Sequence, residues 1–246
     1  MRLIKLAMLA TTGLVVLATG DARAADLPRY KAPPPPPLYS WSGLYLGVNI
    51  GYSWGEAKYD AVLTGVGTAS RAEKMDGVIG GFQSGYNYQI GGAWVLGFET
   101  DIQLSGQKGG ATFPGAIPGI TITTDEKLEW FGTSRTRLGW LATPNILLYG
   151  TAGVAYGKVK DNATVTLVGV GSFTASFTDV KAGWTAGAGI EGAFGGGWSA
   201  KLEYLYIDLG KTEHTFGTIG LGVIATETRR TTDNIVRVGA NYRWGG

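Results

Sequence analysis

The sequence contains no cysteine and only one histidine, His214, and these two absences exclude several kinds of chemistry. Without thiols the chain can form no disulfide framework, no thiolate zinc site and no cysteine nucleophile. A single imidazole leaves little scope for a metal centre or for histidine-based acid–base catalysis. We therefore expect no cofactor and no catalytic residues, and an architectural role is favoured.

Charge is scarce and balanced. Only 16% of the residues are charged, and the formal net charge is +2. That surplus lies at the start of the chain, where Arg2, Lys5 and Arg23 outnumber Asp21, so the remainder is neutral. A neutral chain without basic clusters does not have the electrostatic pattern of a nucleic-acid-binding protein. We expect no nucleic-acid partner.

The sequence also lacks an apolar run of the roughly 20 residues that a transmembrane helix requires. An uncharged, mostly apolar stretch over 6–18 follows Arg2 and Lys5 and is followed in turn by small residues around Ala24. This three-part pattern is typical of a secretory signal peptide. We predict a signal peptide over residues 1–24, cleaved between Ala24 and Ala25.

Five consecutive prolines, Pro33–Pro37, follow the predicted cleavage site. Such a run favours the extended polyproline II helix, which has no internal hydrogen bonds. We predict a proline-rich periplasmic linker over residues 25–40. A stiff tether is its expected role, and a docking site for a periplasmic or wall partner is the alternative.

Glycine and aromatic residues are abundant, with 41 Gly, 12 Tyr and 8 Trp. From Gly43 to Gly51 the even-numbered residues are large and apolar, whereas the odd-numbered ones are mostly small or polar. Successive side chains of a strand point to opposite faces, so this alternation predicts a strand with one apolar face. Similar segments recur at 41–55, 75–90, 93–105, 127–141, 146–158, 180–194, 198–209 and 231–244.

The connections between these segments alternate in length. Short turns are expected at 91–92, 142–145 and 195–197, and long loops at 56–74, 106–126, 159–179 and 210–230. Short periplasmic turns with long extracellular loops are typical of outer-membrane barrels. We predict an all-β fold over 41–246, an eight-stranded antiparallel up-and-down transmembrane β-barrel. Its long loops could extend the hairpins as short strands.

Aromatic residues lie at both ends of the apolar faces. This position is typical of the two membrane–water interfaces, and it favours a barrel in lipid over a soluble ligand-binding barrel. The predicted interface aromatics are Tyr88, Trp94, Trp140, Phe194, Trp198 and Trp244 near the short turns, and Tyr52, Trp54, Trp130, Tyr156, Trp184 and Tyr206 near the long loops.

Charged residues occupy the opposite, inward face. Six acids and six bases are predicted there, namely Glu99, Asp101, Glu129, Glu191, Glu203, Asp233, Arg135, Arg137, Lys181, Lys201, Arg237 and Arg243. We expect Glu99 to lie near Arg135 or Arg137. Because an eight-stranded barrel is only wide enough for side chains to fill it, we interpret the set as a self-neutralising plug. An ion pathway is the alternative.

The chain resembles the small outer-membrane barrel proteins of alphaproteobacteria. The resemblance is carried by the Ala-Asp-Leu-Pro sequence after the leader, by Trp41–Gly47 and Gly51–Gly55, and by the final segment Asn234–Trp244. This family is similar to the transmembrane domain of OmpA and includes abundant surface antigens, some described as porin-like or haem-binding. A terminal strand ending in an aromatic residue resembles the signal that the outer-membrane assembly machinery reads.

These observations favour an integral outer-membrane protein with a structural and surface role. The alternatives are a narrow porin-like channel, a haem-binding surface protein with His214 as ligand, and a lipid-modifying enzyme with His214 as base. The expected partners are outer-membrane lipids and lipopolysaccharide, together with the assembly machinery. The long loops could also bind an extracellular ligand.

Overall fold

The computed structural model describes residues 39–63, 67–114, 119–219 and 223–244. The predicted signal peptide, its cleavage site at Ala24 and Ala25, and most of the predicted linker lie outside these ranges. The described strands are β1 (Gly43–Leu63), β2 (Gly67–Ile90), β3 (Trp94–Ser105), β4 (Lys108–Pro114), β5 (Ile120–Thr143), β6 (Ile146–Leu167), β7 (Gly171–Gly195), β8 (Trp198–Ile219) and β9 (Val223–Arg243).

The strands form one closed antiparallel ring. Neighbouring strands in the chain pair with each other, except that β3 does not pair with β4. β1 also pairs with β9, from Tyr45 opposite Arg243 to Leu63 opposite Ala225. Strands β3 and β4 both lie between β2 and β5, so together they occupy one strand position of the barrel. The circumference is therefore eight strands, and the predicted all-β barrel is confirmed.

The strand position shared by β3 and β4 is interrupted at Gly106 and Gln107. There the Gln107 N–H donates to Ser105 Oγ, at 3.1 Å, instead of to a neighbouring strand. The backbone of this break comes so close to Gly77 on β2 that a Cβ at Gly77 would lie 2.6 Å from Gln107 N. Glycine at position 77 allows this approach. The break turns the Gln107 side chain into the interior, where it is fully buried.

Most of the residues predicted as long loops are strand. Strands β1, β2 and β5 to β9 contain 21 to 25 residues, about twice what a bilayer crossing needs. Cross-strand hydroxyl pairs support these extensions, for example Thr164 with Thr174 and Thr166 with Ser172, both at 2.9 Å. The strands therefore continue beyond the boundaries drawn from the sequence, and the regions predicted as long loops extend the hairpins, as the sequence allowed.

The two ends of the barrel differ. The turn end carries the tight connections Gly91–Ala93, Pro144–Asn145 and Gly196–Gly197, and the hairpin end carries the extended hairpins. Gly91 and Gly92 have φ values of 58° and 82°, a region that glycine adopts without strain. In outer-membrane barrels the short turns face the periplasm, so the hairpin end faces outward.

Alternation along the strands separates an apolar outside from a polar inside. Val48 on β1 is 53% exposed, whereas its neighbour Asn49 is 7% exposed. This arrangement is the reverse of a water-soluble protein and is suited to lipid, which surrounds the barrel with an apolar solvent. No α-helix in the described part of the chain is long and apolar enough to cross a membrane.

A β-bulge in β5 shifts the alternation at one position. The register with β6 slips between Leu128 and Trp130, leaving Glu129 outside the regular pairing. A bulge places one extra residue on a strand and re-aims its neighbours. Leu128 is buried, and Glu129, predicted to face inward, is partly exposed and pairs with Lys158 at 2.8 Å. The inward assignment of Glu129 was wrong.

Candidate functional site

The interior contains a continuous network of buried charges, centred on Glu99 of β3. Glu99 Oε1 lies 2.5 Å from Arg135 Nη2, and Lys201 Nζ lies 2.8 Å from the same oxygen. The Tyr45 hydroxyl donates to Glu99 Oε2 at 2.7 Å. One carboxylate therefore joins strands β1, β3, β5 and β8 across the lumen.

Two arginines connect Glu99 to the other acids at this level. Arg135 donates to Asp101 and to Glu203, in both cases at 3.0 Å. Arg237 donates to Glu203 at 2.7 Å and to Asp101 at 3.0 Å, and Thr133 Oγ1 donates to Asp101 at 2.7 Å. Guanidinium groups suit this role because they are planar and offer five donors in a fixed geometry.

A second group lies nearer the turn end, around Glu191 of β7. Glu191 pairs with Arg137 and accepts hydrogen bonds from Ser199 Oγ at 2.5 Å and from Asn241 Nδ2 at 3.1 Å. Arg243 lies 3.7 Å from the same carboxylate. Lys201 is opposite Glu191 in the register, but its ammonium group bonds to Glu99 instead.

An aromatic floor closes the turn end below these charges. The Trp41 side chain is fully buried, and its Nε1 donates to the Pro144 carbonyl at 2.9 Å. Arg243 stacks over the Trp41 and Tyr45 rings at 5.2 and 5.3 Å. Trp41 packs in a cluster with Val95, Leu147 and Tyr149.

An apolar belt lies above the charges, towards the hairpin end. It contains Ile79, Leu128, Phe131, Ala155, Val159, Leu205, Ile207, Leu209 and Ile235. A cavity of about 10 Å³ is lined by part of this belt and by Gln107, Thr231 and Asp233. Its volume is roughly that of one water molecule. Asp233 accepts hydrogen bonds from Ser53 at 2.6 Å and from Gln107 at 3.1 Å.

A second charged group, the upper cluster, lies beyond the belt and outside the membrane-spanning part. It consists of Tyr59, Glu73, Glu126, Asp161 and Arg229. Arg229 pairs with both Glu126 and Asp161, and the Tyr59 hydroxyl donates to Glu126 at 2.8 Å. Burial raises the pKa of the Tyr59 phenol and lowers the pKa of Arg229. The sequence did not point to this cluster, because all five residues fell in predicted loops.

The twelve predicted interior charges lie at different places in the structure. Nine form the two central groups around Glu99 and Glu191, and Asp233 lies just above these groups. Lys181 is buried at a higher level, within the electrostatic range of Asp161 and Asp179. Glu129 lies outside the lumen because of the bulge in β5.

The predicted interface aromatics lie on the outer surface in two bands. At the hairpin end Trp184 contacts Tyr206 and Trp130 contacts Tyr156, with ring centroids 5.3 and 6.4 Å apart. At the turn end Trp198 contacts Tyr242 at 5.2 Å. The remaining members, Tyr52, Trp54, Tyr88, Trp94, Trp140, Phe194 and Trp244, are exposed.

The interior offers no evident centre for group-transfer chemistry within the described residues. Its hydroxyl groups, such as Thr133 and Ser199, donate to carboxylates that are already paired with cations. The described residues contain no cluster of three or more groups that could hold a metal ion. The side chain of His214 lies outside the described part of the chain.

A closed ring of strands, with an apolar outer band between two aromatic bands and charged groups inside, defines an integral outer-membrane β-barrel. The chain belongs to the outer membrane protein beta-barrel domain family, whose model matches residues 12–243. The resemblance and the outer-membrane location inferred from the sequence are thereby confirmed.

The relatives are outer-membrane proteins of alphaproteobacteria. The chain is similar to the 31 kDa outer-membrane immunogenic protein of Brucella melitensis biotype 1, with 38% identity over 234 residues that cover 91% of this chain and 94% of that protein. It is 33% identical to the 22 kDa outer membrane protein of Rhizobium leguminosarum bv. viciae, over 71% of this chain and 67% of that protein.

Among solved structures, the chain is similar to the outer membrane protein OprG from Pseudomonas aeruginosa. The TM-score is 0.46 and the sequence identity is 13%, over 82% of this chain and 97% of that one.

Proposed function

We propose that this protein is a structural barrel of the outer membrane with a closed lumen, which serves envelope integrity and surface contact. The observation that carries the proposal is the stacking of three barriers along the lumen. These are the aromatic floor, the paired charges around Glu99 and Glu191, and the apolar belt. Its partners in this role are outer-membrane lipids and lipopolysaccharide.

The pairing of the interior charges favours a plug over an ion pathway. An ion that moved along the lumen would have to displace cations and carboxylates that pair with each other inside the barrel. Separating a buried pair leaves an uncompensated charge, at a cost of about 3–5 kcal/mol. The cavity of about 10 Å³ in the belt is also too small for a hydrated ion.

A lipid-modifying enzyme is less well supported. Such an enzyme needs a nucleophile and a base that a lipid can reach. The interior hydroxyls, among them Thr133 and Ser199, are buried behind the strands and bonded to carboxylates. The relatives carry names of outer-membrane proteins and not of enzymes. The haem-binding alternative depends on His214, whose side chain lies outside the described part of the chain.

Single-channel recording of the refolded protein in planar bilayers tests the proposal. We expect no reproducible conductance steps from the unsubstituted protein. A matched variant, Asp101→Ala with Arg135→Ala, Glu203→Ala and Arg237→Ala, removes two acids and two bases and should raise ion leakage. Its folding is checked by resistance to unfolding in cold detergent gels. Large, reproducible steps from the unsubstituted protein would support the porin-like alternative and overturn the closed-lumen proposal.

A further inference from the structure

The upper part of β7 has a strand partner on only one side. Along its whole length β7 pairs with β6, up to Gly171 opposite Leu167. It pairs with β8 only from Gly195 up to Trp184, which lies opposite Asp208. Over the described residues, the segment 171–178 therefore has a free edge above the membrane. We call this segment the free edge of β7.

The free edge lacks the features that usually prevent strands from associating. No charged residue occurs between Asp161 and Asp179, and the segment contains no proline. Natural edge strands commonly carry lysine or proline to block pairing with another chain. Here Phe173 and Phe177 are instead 73% and 57% exposed. An unprotected edge of this kind is a template for strand addition.

The pattern of hydrogen bonds shows which backbone groups are free. The Ala193 N–H donates to the Asn145 carbonyl at 2.8 Å, so odd-numbered residues of β7 point their backbone groups towards β6. The register between β6 and β7 is unbroken up to Gly171. Because these groups alternate sides along a strand, the even-numbered residues from Ser172 to Thr178 direct theirs to the free edge.

The sequence of this edge is complementary to itself. It reads Ser172-Phe173-Thr174-Ala175-Ser176-Phe177-Thr178, which is nearly symmetric about Ala175. Antiparallel pairing of two copies about Ala175 places Phe173 opposite Phe177 and Thr174 opposite Ser176. This register also pairs even-numbered residues with each other, as the free backbone groups require.

We propose that the free edge of β7 binds the same edge of a second copy of this protein, with a two-fold axis at Ala175. Such an interface is isologous and buries the exposed phenylalanines against each other. The hydroxyl pairs that β6 and β7 form within one chain, such as Thr164 with Thr174, would continue between the two chains.

The direction of β7 determines where the second copy lies. β7 runs from the hairpin tip towards the membrane, so an antiparallel partner strand runs away from that membrane. The partner barrel must then sit in a facing membrane. The surface therefore fits contact between two cells or vesicles that both carry the protein, rather than a dimer within one membrane.

Cysteine cross-linking tests the register, since the natural chain has no cysteine. Ala175→Cys places two thiols at the proposed axis, where Cα atoms of a non-hydrogen-bonded pair lie about 4.5 Å apart and a disulfide can form. Val170→Cys is the matched control, because Val170 is even more exposed than Ala175 but faces Val180 in the proposed register.

For this experiment, two vesicle populations carry protein with different peptide tags and are mixed under mild oxidation. We expect disulfide dimers that contain both tags for Ala175→Cys and few for Val170→Cys. Equal dimer yields at both positions would contradict the register. Dimers confined to one tag would contradict contact between membranes.

Charge substitution tests the partner. In Phe173→Lys with Phe177→Lys, like charges face each other in the interface, and vesicle clustering measured by light scattering should slow on the order of tenfold or more. Phe173→Glu with Phe177→Glu should behave in the same way. Mixing vesicles of the two variants places Lys opposite Glu and should restore clustering. Failure of the mixture to cluster, or clustering of either variant alone at the unsubstituted rate, would overturn the proposal.

Discussion

Arg135 Nη2 and Glu99 Oε1 lie 2.5 Å apart in the centre of the barrel, and both side chains are almost fully buried. Neither residue has the other as its only partner, since Arg135 also bonds to Asp101 and Glu203. The pair is thus part of a network. Its contribution to the stability of the barrel depends on which charged partners remain when one residue of the pair is removed.

The first prediction concerns this pair. Arg135→Met leaves the surrounding carboxylates short of one cation, and we expect a loss of about 3–5 kcal/mol in the free energy of unfolding. Adding Glu99→Gln restores the charge balance, so the double variant should lose less than the two single variants together. Reversible urea unfolding from lipid measures all three. Simple additivity would show that the two residues are not energetically coupled.

The second prediction concerns the lipid-facing surface. Val238 lies midway along the crossing part of β9 and is 52% exposed, so Val238→Arg places a charge near the bilayer centre. We expect a loss of about 2–4 kcal/mol in unfolding free energy. Val180→Arg, above the Trp184 band on β7, is the matched control and should lose less than about 1 kcal/mol. The same unfolding assay compares them, and equal losses would be incompatible with the assigned membrane boundary.

The third prediction separates Glu129 from the interior acids. Glu129 forms a partly exposed pair with Lys158, and such pairs contribute about 0–1 kcal/mol. Glu129→Gln should therefore leave the stability nearly unchanged. Glu191→Gln, an identical chemical change at a buried site, should cost several times more. If the two variants lost similar stability, the bulge assignment at Leu128 and Trp130 would be contradicted.

The fourth prediction concerns alkaline pH and the upper cluster. Burial raises the pKa of Tyr59 above its usual value of 10.0. The protonated phenol therefore favours the folded state fully below pH 10, and this stabilisation declines as the pH rises towards the folded-state pKa. At neutral pH Tyr59→Phe should lose about 1 kcal/mol with the hydrogen bond to Glu126. Unfolding measured at several pH values should show the difference shrinking above pH 10, and a constant difference would contradict the prediction.

Much of the fold could be predicted because lipid imposes a two-residue period on every membrane-crossing segment. The alternation in β1 identified both faces, and the short glycine turns identified the hairpins. The bulge in β5 could not be predicted, because one extra residue in a strand leaves no compositional mark. It reversed the faces of Leu128 and Glu129, whose sequence context looks regular.

The upper parts of the hairpins were assigned to long loops for a different reason. Above the membrane both faces of a strand meet water or the barrel mouth, so the apolar alternation ends and threonine and glycine dominate. Such segments look like loops. The upper cluster around Arg229 was missed with them, because its members come from five separate strands and are brought together only by the closure of the ring.

The pairing of β1 with β9 also constrains the order in which this molecule can fold. Tyr45 and Arg243 meet in that ladder although almost the entire barrel sequence separates them. A nascent chain thus presents two unsatisfied backbone edges until its final strand arrives, and such contacts between distant residues form slowly. Closure cannot accompany synthesis. Every copy must exist for a time as a complete, unclosed chain, and during that interval it must be kept from aggregating.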